Sequence, residues 1–261
     1  MSIQITQPTN YYPFPVPGVD VNLWFSILQS IIDKNLPEAS ENLEPLGQPE
    51  DVAGKRAWPW WKLKKWAARI VQHFIQRYGK PEYFENDQKE NLPFAEYFRS
   101  HMSVQLLAPV MNCLAVRANG RFTTDEVHRS CLTFIEYAVE ISPTWKKTIK
   151  PHLDFVLFQS IFPSLCLTSD DIELFEEDPL EFIRKINDVM QDWIDPRTAA
   201  SNLLLSLAKN RAKDTLPRLL AFIEATLAEY NAAPVETRDY RKKDAIFVCI
   251  GTIFKVRIIW C

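Results

Sequence analysis

Glycine is scarce in this chain, with 6 residues among 261. The six are too scattered for a phosphate-binding loop or a dinucleotide-binding turn, because both need glycines at close, fixed spacing. Tight β-hairpins depend on Asn-Gly or Asp-Gly turns between alternating strands. The Asn119-Gly120 pair instead lies between two helical patterns, where it indicates a helix stop. The shortage of glycine therefore argues against the common nucleotide-binding loops and favours an all-α fold.

Strong net charge, paired cysteines and long apolar runs are missing as well. The net charge is −3, so the basic balance typical of nucleic-acid-binding domains is absent. The five cysteines include no Cys-x-x-Cys spacing, and their odd number favours reduced thiols in the cytosol or nucleus. The apolar runs are too short or too interrupted for the about 20 residues that span a bilayer, and the first residues lack a signal-peptide pattern. We expect neither direct nucleic-acid binding nor membrane insertion.

Catalytic and metal-binding motifs are also absent. The four histidines do not pair at metal-ligand spacing, and no Gly-x-Ser-x-Gly elbow, P-loop or kinase signature occurs. His128 and Cys131 are one helical turn apart, which permits a thiol–imidazole contact, but a free cysteine commonly behaves as a small buried apolar residue. We therefore predict no catalytic residue, no cofactor and no metal. An enzyme with an unrecognised site is kept as an alternative.

The sequence does contain a long series of amphipathic helical patterns. Apolar residues recur every three or four positions in the segments 19–34, 60–78, 93–116, 123–140, 142–165, 178–190, 195–209, 215–230 and 242–254. Capping residues mark several starts: Asp20, the pair Thr123 and Glu126, and the residues before proline at Ser142, Asp178 and Asp195. Pro151 should kink the helix that contains it.

Two of these helices have apolar stripes that we predict to be buried. In the first helix the stripe contains Leu23, Trp24, Ile27, Leu28, Ile31 and Ile32. In the helix at 60–78 it contains Leu63, Trp66, Ala67, Ile70, Val71, Phe74, Ile75 and Tyr78. Lysines interleaved with tryptophans there could bind single-stranded nucleic acid, but Trp66 lies on the apolar stripe, so packing is the simpler interpretation. We expect Trp60 and Trp61 to anchor the proline-rich segment before them.

Helix pairs with divergent sequences and short connections are typical of HEAT-type arrays, in which each pair buries its apolar face against its neighbours. We predict an α-solenoid of antiparallel helix pairs, a HEAT/armadillo-like superhelix, with an irregular helical domain as the alternative. The predicted organisation is an extended proline-rich segment at 1–18, helical repeats at 19–256 and an irregular end at 257–261. Within the repeats we expect a long Pro/Glu linker loop at 35–59, an acidic loop at 166–178 and a polar loop at 231–241.

Acidic residues are concentrated ahead of the sixth helical pattern. The candidate site residues are Asp170, Asp171, Glu173, Glu176, Glu177 and Asp178, with no lysine or arginine among them. Capping and solvation is the simpler interpretation, yet each acid at a helix start stabilises by only about 0.3–1 kcal/mol, and there are more acids than capping needs. The alternative interpretation is a docking site for a basic partner.

Several fragments of the sequence, taken in order, resemble the importin-seven and importin-eight branch of the importin-beta superfamily. They are 60–67 (WWKLKKWA), 144–146 (TWK), 150–152 (KPH), 161–163 (IFP), 176–179 (EEDP), 182–184 (FIR), 195–200 (DPRTAA) and 241–245 (RKKDA). The resemblance covers about residues 19 to 252. It implies HEAT repeats and the import of cargo through nuclear pores, with shuttling between cytoplasm and nucleus.

The resemblance also implies partners. Cargoes of this branch include basic proteins such as ribosomal proteins and histones, Phe-Gly nucleoporins insert aromatics between neighbouring outer helices, and the GTPase Ran drives release. The main Ran-binding repeats of the family precede the part that this chain resembles, so Ran binding is not expected of this chain alone. Because family members are several times longer, we expect a segment of a longer receptor or a truncated gene product. A helical-repeat interaction scaffold without transport activity is the alternative.

Overall fold

The computed structural model describes residues 20–36, 45–85, 88–186 and 195–258. These ranges form helices and turns, with no β-strand beyond an isolated bridge residue at Pro45. The α-helices are α1 (Val21–Asp33), α2 (Val52–Ala57), α3 (Pro59–Tyr78), α4 (Leu92–Tyr97), α5 (Ser103–Ala118), α6 (Asp125–Ala138), α7 (Ser142–Thr144), α8 (Phe162–Leu165), α9 (Ser169–Glu177), α10 (Pro179–Ile186), α11 (Pro196–Asn210), α12 (Ala212–Ala232) and α13 (Tyr240–Ile258). Short 3₁₀ helices occupy Pro81–Phe84, Lys89–Asn91 and Val235–Thr237.

Two long rods are composite. A π-helical segment at Phe98–Met102 joins α4 to α5, which makes the 92–118 rod. The 142–165 rod runs from α7 through π-helical segments at Trp145–Ile149 and Phe155–Ile161 to α8. A turn at 150–152 interrupts this second rod. The turn contains Pro151, whose ring and missing amide are incompatible with an uninterrupted helix, so the predicted kink is confirmed.

The helices stack in two layers. In one layer α3, α6, α11 and α13 lie side by side, and in the other α1, the 92–118 rod, the 142–165 rod and α12 follow one another. Each helix of the first layer also packs on the second layer, so α1 pairs with α3, α5 with α6, the 142–165 rod with α11, and α12 with α13. The predicted all-α solenoid of helix pairs is confirmed.

Aromatic side chains hold the first pair together. Phe25 of α1 meets Phe74 of α3 edge to face, with ring centroids 4.9 Å apart. Tyr78 makes a second edge-to-face contact at 4.8 Å with Phe94 of α4, and Phe98 closes the cluster. Such pairs add about 0.5–1.5 kcal/mol each beyond the apolar area they bury. The end of α3 is therefore fixed against the start of the 92–118 rod.

Helix α6 is central to the core. Its predicted stripe of Val127, Cys131, Phe134, Ile135 and Ala138 is fully buried, because α3, α5 and α11 surround it. The buried apolar residues form one continuous cluster that runs from α1 to α13. Each helix pair thus depends on its neighbours for burial, as a solenoid requires.

The last two pairs meet through ion pairs and stacked rings. Lys150 and Asp154 of the 142–165 rod pair with Asp214 and Arg218 of α12, respectively. Phe158 stacks on Phe222 of α12 with ring centroids 4.5 Å apart. Exposed ion pairs contribute little stability, so the stacked apolar rings account for most of this contact.

The helix caps in the structure agree only in part with those predicted from the sequence. Asp20 and Asp195 accept hydrogen bonds from backbone amides at the starts of α1 and α11, as predicted. The predicted capping box of Thr123 and Glu126 is wrong, since α6 begins at Asp125 and the buried hydroxyls of Thr123 and Thr124 have no partner. Ser142 does not cap either, because α7 already includes it.

The predicted loops contain helices. Within 35–59 the structure forms α2, and Arg56 of α2 pairs with Asp125 at 2.9 Å. The Trp61 indole donates to the Gln48 side chain at 2.7 Å, so Trp61 does anchor this segment. Most of 166–178 is α9, and 231–241 is divided among the end of α12, a 3₁₀ turn and the start of α13. The end predicted to be irregular at 257–261 is helical as far as Ile258, where α13 ends. Residues 1–18 and 259–261 lie outside the described residues.

The predicted buried stripes of α1 and α3 are partly wrong. Leu63, Trp66 and Ile70 of α3 are 47%, 55% and 38% exposed, and Leu23, Trp24 and Ile27 of α1 are exposed as well. The buried side of α3 instead includes Lys64, whose Nζ lies 5.7 Å and 5.9 Å from the ring centres of Trp60 and Trp61. Each helix carries apolar residues on more than one side, and periodicity alone does not select which side meets a neighbour.

Within the described ranges, no helix combines the length and the apolar character needed to cross a membrane.

Candidate protein-docking surface

The predicted acidic site folds as a helical hairpin of α9 and α10, inserted between the 142–165 rod and α11. The two helices pack on each other through Phe175 and Phe182, whose ring centroids are 5.3 Å apart. Lys185 of α10 pairs with Asp171 of α9 at 2.8 Å. No residue of either helix is fully buried, so the hairpin presents most of its surface to solvent.

Two of the six predicted site residues serve the hairpin itself. Asp171 forms a capping box with Thr168, and its oxygen accepts from the Thr168 amide at 2.9 Å. Although burial opposes the charge, bonds from Lys185 and Thr168 hold the pKa of Asp171 below its usual value. Asp178 accepts from the amides of Leu180 and Glu181 at the start of α10. These two carboxylates are structural, as the capping interpretation expects.

The other four site residues are available to a partner. Asp170, Glu173, Glu176 and Glu177 are exposed, and among the described residues none of them forms an ion pair or a side-chain hydrogen bond. Asp170, Glu173 and Glu177 recur at three and four residues, so they share one face of α9, and Glu176 borders it. The structure therefore concentrates four unpaired carboxylates on one side of the hairpin.

Sequence reasoning missed the apolar part of this surface. Leu180 is 69% exposed, and Ile183 and Ile186 of α10 are also exposed, as is Phe175 of α9. The three-residue spacing of the α10 side chains was the available signal. The hairpin is thus acidic on α9 and apolar along α10.

Comparison with known proteins accounts for the helical stack. The Cse1 family model matches residues 114–255, which is more than half of the chain. The chain belongs to the Cse1 family, within the importin-beta superfamily. This result confirms the family resemblance seen in the sequence.

Individual relatives of this Cse1-family chain come from plants, animals and fungi. It is 33% identical to human importin-8 over 248 residues, which is 94% of this chain and 22% of importin-8. It is 30% identical over 246 residues to the importin beta-like SAD2 homolog of Arabidopsis thaliana, covering 93% of this chain and 23% of that protein. It is 30% identical over 205 residues to nonsense-mediated mRNA decay protein 5 of Saccharomyces cerevisiae, and the match covers 78% of this chain and 19% of that protein. The chain spans less than a quarter of the length of these relatives, and no solved structure matches it.

His128 and Cys131, whose spacing permits a thiol–imidazole contact, are packed in the core of this Cse1-family chain. His128 is buried, its Nε2 lies 2.9 Å from the Ser164 hydroxyl, and burial lowers the pKa of His128 to about 3. A neutral imidazole of this kind is a poor proton acceptor. Contact with Cys113 and burial hold the pKa of the Cys131 thiol well above its usual value. Both residues are therefore part of the packed core, and the prediction that Cys131 is a small buried residue is confirmed.

Proposed function

We propose that this chain is a cargo-binding segment of a nuclear import receptor, and that the acidic face of the α9–α10 hairpin docks a basic segment of the cargo. The observation that carries the docking site is the set of four exposed carboxylates that no described lysine or arginine neutralises. Asp171 and Asp178 complete the caps, so the remaining four are not needed for helix stability. The family of the chain supports the transport role.

The proposed partners follow from this surface and from the relatives. Several relatives are named importins, and a basic cargo such as a ribosomal protein or a histone matches the charge of α9. Phe-Gly nucleoporins would insert aromatic side chains between neighbouring helices of the stack, and Ran would act on the full-length receptor. The receptor would then shuttle between cytoplasm and nucleus and would not be an enzyme.

The charge of this surface sets how binding should respond to salt. Exposed carboxylates steer a basic partner during encounter and mainly raise the association rate. Their attraction is screened over about 8 Å at physiological ionic strength. The exposed Leu180 and Ile186 of α10 would supply a contact that salt does not weaken.

The test is the binding of a core histone to the full chain and to the variant Glu173→Gln, Glu176→Gln, Glu177→Gln, measured by calorimetry at two salt concentrations. Three lost surface charges at about 0.5 kcal/mol each predict about tenfold weaker binding in low salt. The difference should shrink in high salt because screening already weakens the native surface.

A matched control is Glu224→Gln, Glu229→Gln, Glu236→Gln, which removes three exposed carboxylates elsewhere and should leave the affinity unchanged. Equal losses in both triple variants would mean that net charge, and not the α9 face, attracts the histone. A folded chain that binds neither the histone nor a Phe-Gly peptide would contradict the transport role.

A further inference from the structure

A row of buried polar side chains lies between α6 and the 142–165 rod. His128 of α6 is 2% exposed, and its Nε2 lies 2.9 Å from the Ser164 hydroxyl of the rod. The Ser164 hydroxyl donates to the Ser160 carbonyl at 2.7 Å, so Ser160 lies one turn before it. Thr124 likewise lies one turn before His128, whose amide bonds its carbonyl. We call these four residues the polar seam; it lies between the second helix pair, α5 and α6, and the third.

Three polar atoms of the seam have no hydrogen-bond partner in the described structure. They are Nδ1 of His128 and the hydroxyls of Ser160 and Thr124, and all three side chains are buried. A buried polar atom without a partner costs free energy, because it has lost its bonds to water. Separation of the two helices along the seam would return water to these atoms. The seam therefore opens at a lower cost than an apolar contact of the same area.

The rod is irregular where it meets the seam. Ser160 belongs to the π-helical segment Phe155–Ile161, and the turn that contains Pro151 interrupts the rod just before that segment. Proline and π-helical turns are the usual places at which helices bend, and π-helical turns are frequent at functional sites. On the other side of the seam, α6 is regular α-helix throughout. The rod can therefore bend or shift at the seam while α6 keeps its shape.

The two helix pairs are fastened together at the other end of α6. Arg211, which follows α11, donates from Nε to the Val139 carbonyl at 3.0 Å. Its guanidinium also lies 5.1 Å from the ring centre of Trp145, near the start of the rod. Ser206 of α11 donates to the Glu136 carbonyl at 3.1 Å. These contacts restrict an opening of the seam to a rotation about the fastened end.

We propose that the helical stack bends at the polar seam, with the fastened ends of α6 and α11 around Arg211 as the hinge. In the closed form, which the structure shows, His128 meets Ser164. In the open form these side chains separate and the polar atoms of the seam bind water, while the contacts of Arg211 are kept. Hinges of this kind consist of a few residues in loops or at the ends of helices.

The bend would move the α9–α10 hairpin. The hairpin follows the end of the rod directly, so it would travel with the third helix pair and change its position relative to the first two pairs. The inference itself does not depend on the proposed function, because it concerns only the contact between the second and third pairs.

The test is the distance between two spin labels on the full chain, measured by double electron–electron resonance. The labels are attached through a ketone-bearing residue at the exposed positions Gln105 and Gln159, which lie on the two rods on either side of the opening. The native chain should give two distances, a shorter one for the closed form and a longer one for the open form.

The double variant His128→Leu, Ser164→Ala replaces both polar partners of the seam with apolar groups of similar size. Such a replacement is nearly neutral or stabilising, so the Tm of the variant should be equal or higher. The population with the longer distance should fall about tenfold or more, because opening no longer returns water to His128.

Two controls make the result specific to the seam. The variant Ser100→Ala, His101→Leu removes another serine–histidine contact, at 2.8 Å on the exposed surface, and should leave the longer distance unchanged. Labels at Gln159 and Glu224 span the rod and α12, which meet through stacked aromatic rings, and should give a single distance in the native chain and in the double variant.

A single distance between the labels at Gln105 and Gln159 in the native chain would overturn the proposal. Equal populations of the longer distance in the native chain and the double variant would do the same. A lower Tm in the double variant would show that the contact of His128 with Ser164 holds the two pairs together, and it would also overturn the proposal.

Discussion

Burial shifts the pKa values of two residues of α6, Glu136 and His128, in directions that affect stability differently. Glu136 of α6 lies in a partly enclosed position, where burial and then the charge of Glu140 raise its pKa to about 7. Lys80 and Arg129 oppose this shift without cancelling it. The lowered pKa of His128 changes stability with pH in the opposite sense. A mutation at one of the two residues is therefore needed to measure its contribution alone.

Whether each residue raises or lowers folding stability as pH changes depends on whether the folded or the unfolded chain binds more protons. The folded chain holds the Glu136 proton between the ordinary glutamate pKa of about 4.5 and about 7, so its contribution falls as pH rises through this window. For His128 the unfolded chain binds more protons between about 3 and 6.5, so stability falls as pH drops through that range. The two contributions oppose each other in mildly acidic solution.

We predict that Glu136→Gln stabilises the chain above neutral pH. The variant removes a carboxylate that is ionised and poorly solvated there, which should raise the free energy of unfolding by about 1–3 kcal/mol at about pH 8. At about pH 4.5 the gain should vanish because native Glu136 is then protonated when folded. Tm measured across pH for both proteins gives the difference, in which the His128 contribution cancels. Glu224→Gln on α12 serves as the exposed control, and a constant gain at every pH would contradict the assignment.

Among the elements, the α9–α10 hairpin differs most from the rest of the stack. Its helices contact chiefly each other, and no residue in either is fully buried, whereas α6 is enclosed by three neighbours. Elements with few buried contacts open locally at low free-energy cost. The hairpin can therefore adapt to a partner without disturbing the solenoid.

We predict that Thr168→Ala loosens α9 alone. The substitution removes the Thr168 hydroxyl that accepts from the Asp171 amide at 3.1 Å, and loss of an N-cap costs about 0.5–2 kcal/mol. Hydrogen exchange followed by mass spectrometry should show faster exchange in 169–177 and unchanged exchange in α6. Thr237→Ala, which alters an exposed turn, is the control. Unchanged exchange in α9 would mean that the capping box does not form in solution.

The whole molecule behaves as one stack because its central helices link all the pairs. Helix α11 contacts α6, the 142–165 rod, α12 and α13, so its packing supports both the preceding and the following pair. The apolar cluster is continuous along the chain. Nearest-neighbour contacts of this kind couple the stability of adjacent repeats.

We predict that Leu203→Ala in α11 lowers the stability of the whole stack. Leu203 is fully buried, and a Leu-to-Ala cavity costs about 2–5 kcal/mol. At about 2–4 °C per kcal/mol for chains of this size, calorimetry should show Tm falling by about 5–15 °C. Leu220→Ala on α12 removes an exposed leucine and should shift the free energy by only about 0.5 kcal/mol. Similar shifts in the two variants would contradict the central role of α11.

The class of fold, several helix boundaries and the family could all be predicted from the amino-acid sequence alone. Scarce glycine and repeated three-and-four apolar spacing act within single helices, so they predict helices without knowledge of neighbours. The caps at Asp20 and Asp195 and the break at Pro151 are likewise local, because each concerns hydrogen bonds within one turn. The four exposed acids of α9 were named from the sequence for the same reason, since a dense run of carboxylates is visible without coordinates.

Which sides of the helices are covered depends on how the helices pack, and this could not be predicted. Helix α3 carries apolar residues on two adjoining sides, and the positions of α1, α5 and α6 bury one and leave Leu63, Trp66 and Ile70 in solvent. The same applies to the ion pair of Asp171 with Lys185, which exists only once α9 and α10 form a hairpin. Burial is a property of pairs of helices, and periodicity describes one helix at a time. That is why the apolar part of the α9–α10 surface could be identified only after the helices were placed together.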